Sequence, residues 1–132
     1  MKRGVLLNSY LSGLIADLGH KDKIVIADAG LPVPAGVEKI DLAVSCGLPG
    51  FVETLQSVLS EYQIEAGIMA EEIKTENPVV LDETLAVIPE EIKPEFVSHE
   101  EFKRMTEDCR AVIRTGECSP FANIILVAGV TF

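Results

Sequence analysis

The chain holds two histidines, His20 and His99, and histidine is the side chain best matched to moving a proton near neutral pH. Asp28 closes the short apolar run Ile24-Val25-Ile26-Ala27. In an open α/β sheet the carboxyl ends of strands are where ligands bind. A helix, a turn and that strand would bring His20 and Asp28 to one crevice, a proton donor beside a carboxylate. The same two residues admit a plainer reading, which spacing alone favours: His20 as a cation at a helix C-terminus and Asp28 as a turn former. His99 falls in the first turn of a helix that Ser98 would cap. A neutral imidazole there can hydrogen-bond a polyol, or His99 is simply a partly exposed surface residue. The stretch Pro120-Phe121-Ala122-Asn123 leads into the last apolar run. An aromatic ring beside a carboxamide suits a sugar, because the ring stacks on C–H faces and the amide bonds hydroxyls. The alternative is a core aromatic followed by a polar turn.

Other chemistries lack residues to support them. No Gly-x-Gly-x-x-Gly and no phosphate-binding loop is present, and no nucleophile motif surrounds a serine. The cysteines are Cys46, Cys109 and Cys118. An odd number without Cys-x-x-Cys spacing argues against a disulfide framework and a zinc site. The expectation is buried, reduced thiols and no metal.

The net charge is −10. Residues 1–40 carry five Lys/Arg and four Asp/Glu, residues 41–100 two and thirteen, and residues 101–132 four and four. The acidity thus lies wholly in the middle of the chain. Such a surface repels nucleic acid and anionic lipid but not a neutral small molecule. No apolar stretch approaches the ~20 residues that a bilayer requires. Lys2-Arg3 before Val5-Leu6-Leu7 faintly resembles a signal peptide, but Asn8, Ser9 and Asp17 interrupt it and no small-residue cleavage site follows. The expectation is a cytoplasmic protein.

The elements that must position these residues can be read from periodicity. With 132 residues, 48 % of them hydrophobic, the chain is expected to form one domain over residues 1–132. Leu11, Leu14, Ile15 and Leu18 recur at helical spacing, with Asn8 or Ser9 as the cap and Gly19 at the end. Ile24–Ala27 reads as a strand buried on both faces, and Ile40–Val44 as a second. Gly47-Leu48-Pro49-Gly50 turns into a helix whose stripe is Phe51, Val52, Leu55, Val58, Leu59 and Tyr62. Ile64–Met69 reads as a strand. Residues 71–77 and about 79–88 are helical, divided at Asn77-Pro78. Phe96-Val97 is a short strand. Ser98 with Glu101 is a capping-box pattern opening a helix to about Asp108. Ala111–Ile113 and Ile124–Val127 are the last strands. Alternating strands and helices predict an α/β fold, a layered domain with a mainly parallel central sheet flanked by helices.

The same residues carry a family resemblance. The block from Leu18 through His20, Asp28 and Gly30 to Pro34 resembles the opening motif of the D-ribose pyranase family, relatives of the fucose mutarotases. Ile40-Asp41-Leu42-Ala43 and Ala70-Glu71-Glu72-Ile73 resemble two further blocks. The run from Ala111 through Arg114-Thr115-Gly116-Glu117-Cys118-Ser119-Pro120-Phe121-Ala122-Asn123 to Leu126 is the most specific, and Ala128-Gly129-Val130-Thr131-Phe132 follows it.

The resemblance implies a cytoplasmic, cofactor-free isomerase that interconverts the pyranose and furanose forms of D-ribose. It also implies a homo-oligomer of two stacked pentameric rings, with sites where neighbouring subunits meet. Carried onto this chain, His20 would be the general acid, while Asp28, His99, Phe121, Ala122 and Asn123 would hold the sugar. The base is left open among Asp28, His99 and a water. Phe121 departs from the family, which usually has Tyr there. Two alternatives use the same residues: a ribose-binding accessory protein without chemistry, and a mutarotase for fucose or another aldose. A purely structural assembly protein is a third.

Overall fold

A computed structural model describes residues 1–132. Asn8 caps the first helix, α1 (Ser9–Asp17), by accepting from the Leu11 N–H at 3.0 Å. The helix ends at Asp17, with Leu18 already extended and Gly19 directly after it, where the sequence placed the end. Strand β1 (Lys23–Ala27) then crosses the centre of the molecule, its residues 24–27 at most 1 % exposed.

Strand β2 (Glu38–Asp41) begins and ends earlier than the expected Ile40–Val44. The Asp41 carboxylate explains the early stop. It accepts from the Ala43 N–H at 3.0 Å and from Arg114, which turns the chain. Val44 is left exposed in a loop. Helix α2 (Phe51–Leu59) buries Phe51, Leu55 and Val58, and Tyr62 is buried beyond its end. Strand β3 (Ile64–Ala70) leads to α3 (Ile73–Glu76) and α4 (Pro78–Val87), where Pro78 opens the second helix.

Strand β4 (Glu95–Val97) precedes α5 (His99–Met105) and a 3₁₀ turn to Asp108. Ser98 caps α5 by accepting from the Glu101 N–H. Glu101 does not complete the capping box as expected, because its carboxylate is held by Arg104 one turn on. Strands β5 (Ala111–Arg114) and β6 (Ile124–Ala128) complete the sheet.

The strand order is β2-β5-β1-β6-β3-β4. Pairs β2–β5, β5–β1 and β3–β4 are parallel, whereas β6 runs antiparallel to both β1 and β3. Five strands therefore share one direction and β6 alone is reversed. Side chains alternate across a strand, so β1 sends Ile24 and Ile26 to one face and Val25 and Ala27 to the other. The first face packs Leu11, Phe51, Leu55, Ile73 and Leu81 from helices α1 to α4. The second packs Phe102 of α5.

The expectation of buried cysteines holds for Cys109 alone; Cys46 and Cys118 are exposed. Both sit in loops rather than in the apolar runs.

Candidate active site

The topology delivers the polar residues to two opposite ends of the sheet. At the carboxyl end of the parallel strands, β1 finishes at Ala27 and hands over to Asp28. The reversed β6 starts at that same end, so Asn123 arrives beside Asp28. The fully buried Asn123 carboxamide grips Asp28 twice. Its Oδ1 accepts from the Asp28 N–H at 2.8 Å, and its Nδ2 donates to Asp28 Oδ2 at 2.9 Å. Asp28 Oδ1 also accepts from the Gly30 N–H at 2.9 Å. Asp28 is thus the turn former that the plainer reading expected, and at the same time a carboxylate fixed in place at the carboxyl edge of the parallel strands.

Phe121 sits two residues before Asn123 with φ +56°. That left-handed conformation is costly for a bulky residue and persists only where surrounding contacts enforce it. Here Asn77, 8 % exposed, supplies them: its Nδ2 donates to Ser119 Oγ at 2.9 Å and to the Pro120 carbonyl at 2.8 Å. The Phe121 ring meets His99 edge to face, with centroids 5.0 Å apart at 84°. His99 is also stacked on Phe102 at 6.4 Å and 12°. Its Nδ1 is buried without a hydrogen-bond partner. Its backbone N–H donates to both oxygens of Glu72, at 3.1 and 3.0 Å. That bond holds the Glu72 carboxyl below its ordinary range. The run Phe121-Ala122-Asn123 therefore joins two groups, with its aromatic end on His99 and its amide end on Asp28. Ala122 between them is fully buried.

His20 lies at the other end. It falls in the turn between α1 and β1, where the Lys21 N–H donates to the Ala128 carbonyl at 3.0 Å at the far end of β6. The five residues of β1 separate it from Asp28, a span of roughly 16 Å at ~3.3 Å per residue. The expectation that one crevice of a single chain holds both is corrected. His20 precedes an extended strand that Asp28 follows, and an extended strand keeps its ends apart.

At that amino end, His20 Nε2 is 2.8 Å from Glu65 Oε2, and Lys21 pairs with Glu65 Oε1. Lys21 first, then His20, hold the Glu65 carboxyl below its ordinary range. A pocket of about 380 Å³ opens here, with His20, Tyr62, Gln63, Gly129, Thr131 and Phe132 in its lining.

Glu65, Glu72 and Asn77 were not among the expected site residues. Glu65 sits at an irregularity of β3, where the register with β6 shifts between Ile64 and Ala66. Its pairing with His20, 45 positions away, has no local signal. Glu72 stands in a motif block, but nothing in its neighbours points to the His99 backbone.

Comparison with known proteins gives this geometry a context. The profile of the RbsD / FucU transport protein family matches residues 1–131. The D-ribose pyranases of Proteus mirabilis and Vibrio campbellii are 53 % and 51 % identical to this chain over the full length of both chains. The structure of Bacillus subtilis RbsD complexed with D-ribose superposes with a TM-score of 0.95 at 52 % identity, covering each chain completely. The fucose mutarotase of Streptococcus pneumoniae, in complex with L-fucose, shares the fold at 23 % identity, with a TM-score of 0.82 over the full length of both chains. The chain belongs to the RbsD / FucU transport protein family.

Proposed function

We propose that this protein is an isomerase that interconverts the pyranose and furanose forms of D-ribose. The observation that carries the reading is full-length identity of 53 % to a D-ribose pyranase. Similarity to the fucose-binding relative is much lower, at 23 %. The fixed polar edge around Asp28 and Asn123 is what such a reaction needs.

Ring opening requires a proton on the ring oxygen and removal of the proton from the anomeric hydroxyl. The bond between the ring oxygen and C1 breaks, and C1 becomes an aldehyde. Reclosure by a different hydroxyl on C1 reverses both transfers. His20 gives the proton to the ring oxygen and Glu65 orients its imidazole. The Asp28 carboxylate, immobilised by Asn123 and Gly30, accepts hydroxyl hydrogens of the sugar. His99 and Phe121 form a wall for it, the ring of Phe121 against C–H groups. One positioned acid/base group contributes about 10²–10⁴-fold.

The separation of His20 from Asp28 within one chain gives the reading a second part. A complete site takes His20 from one protomer and the Asp28 edge from another, in a homo-oligomer of two stacked pentameric rings. Apolar side chains left exposed at several edges are in keeping with such contacts, among them Val5, Leu7, Val44 and Phe132. No helix is long and apolar enough to cross a membrane. A cytoplasmic location suits the exposed thiols.

Magnetisation-transfer NMR on equilibrated D-ribose tests the reaction. Added protein should speed exchange between pyranose and furanose signals. Ribose binding without faster exchange would leave an accessory binding protein instead. No effect on ribose together with faster exchange in fucose would move the substrate.

A further inference from the structure

Cys46 and Cys118 are 72 positions apart in sequence and neighbours in the fold. The loop around Cys46 closes on itself through a bridge between Ser45 and Leu48 and lies against the segment that leaves β5. Gly116 is the point of contact. Its carbonyl accepts from the Gly47 N–H at 2.6 Å, and its N–H donates to the Pro49 carbonyl at 2.8 Å. A Cβ at this position would overlap the Ser45 and Leu48 carbonyls, so only glycine permits the approach. The Cys118 thiol donates to the same Gly116 carbonyl at 3.4 Å. Gly47 and Cys118 thus converge on one oxygen, and Cys46 is the residue before Gly47. The Cys118 thiol is also the first cause that pushes the Cys46 thiol up, through a side-chain contact. Both thiols are exposed to solvent. Cys109 is not: burial pushes its thiol up to about 11 and leaves it inert.

We propose that Cys46 and Cys118 form a surface dithiol whose ligand is a low-molecular-weight disulfide, and that reaction closes them into an intramolecular disulfide. In the first step the thiolate of one cysteine attacks a sulfur of the small disulfide. The sulfur–sulfur bond breaks, a mixed disulfide forms on the protein, and the departing thiolate takes up a proton. In the second step the other cysteine, having lost its proton, attacks the protein sulfur of that mixed disulfide and expels the second small thiol. Two protein thiols are oxidised and one disulfide is reduced to two thiols. The new bond ties the 44–49 loop to the segment that reaches Phe121 three residues later. The site stands independently of the sugar chemistry.

Oxidised glutathione is the probe. The folded protein is treated with it, quenched with an alkylating agent in denaturant, and digested with trypsin. Cleavage at Lys and Arg isolates Cys46 in the peptide Ile40–Lys74 and Cys118 in Thr115–Phe132. The expected product is these two peptides joined by a reducible bond, in a chain two hydrogens lighter that runs as a monomer on a non-reducing gel. Cys109 should be recovered alkylated. Cys46→Ser and Cys118→Ser should each hold one glutathione on the remaining surface cysteine. Glutathione on Cys46 and Cys118 without joined peptides, a disulfide-linked dimer, or no reaction would each overturn the proposal.

Discussion

His20 and Asp28 are both polar residues at the ends of β1, yet they face different surroundings. His20 is paired with Glu65 in an open turn, while Asp28 is clasped by a buried amide. His20→Ala should remove most of the acceleration of ribose exchange and leave the circular dichroism spectrum unchanged; full exchange in a folded mutant would end its role as the acid. Asp28→Asn should weaken ribose binding, lower the rate, or both, as read from exchange at several ribose concentrations. For Phe121, a Tyr in its place would add a hydroxyl able to make one neutral hydrogen bond, worth about 0.5–1.5 kcal/mol. Phe121→Tyr should therefore change rate or affinity by no more than about tenfold. Phe121→Ala should cost more, since it also removes the ring that packs on His99. An inactive wild type rescued by Tyr would show that the phenol is essential. Glu72 supplies a pH prediction. Its folded pKa lies below the ordinary 4.5, with the His99 N–H as first cause, so its contribution to stability is present above 4.5 and is lost as pH falls through the lowered value. Glu72→Gln should lower Tm above pH 4.5, and the difference from wild type should close in more acid solution.

The elements that position these residues were legible in the sequence where the signal was local. The continuous run Ile24–Ala27 identified β1, and the Ser98 pattern placed the start of α5. The boundaries of β2 were not legible, because Arg114, the residue that helps Asp41 end it, is 73 positions away. The reversal of β6 was hidden for a similar reason: a strand buried on both faces looks alike in either direction. That reversal matters, since it brings Asn123 rather than Ala128 to Asp28. Helix α5 depends on few residues. Phe102 is its fully buried side chain in the second core face and also stacks on His99. Phe102→Ala should cost about 3–5 kcal/mol by loss of burial and a residual cavity, measured by urea unfolding. A loss below about 1 kcal/mol would mean that α5 is held by other contacts.

At the scale of the whole molecule, the candidate residues were identified by type but their arrangement was not. The order of helix, turn and strand admitted a shared crevice for His20 and Asp28, whereas the fold sets them beyond opposite ends of β1. On the proposed function, one protomer would present the acid His20 at one edge and the sugar-holding Asp28 at the other. In the proposed ring, repetition of one heterologous contact would join the first edge of each protomer to the second edge of a neighbour. The most direct test is complementation between two mutants. Purified His20→Ala and Asp28→Asn proteins, each impaired alone, are dissociated, mixed in equal amounts and reassembled, and ribose exchange is followed by magnetisation-transfer NMR. If sites are shared, about a quarter of those in the mixed rings combine an intact His20 with an intact Asp28, and activity should rise well above that of either mutant reassembled alone. A mixture that reassembles into rings yet exchanges ribose no faster than the two mutants separately would contradict the shared site.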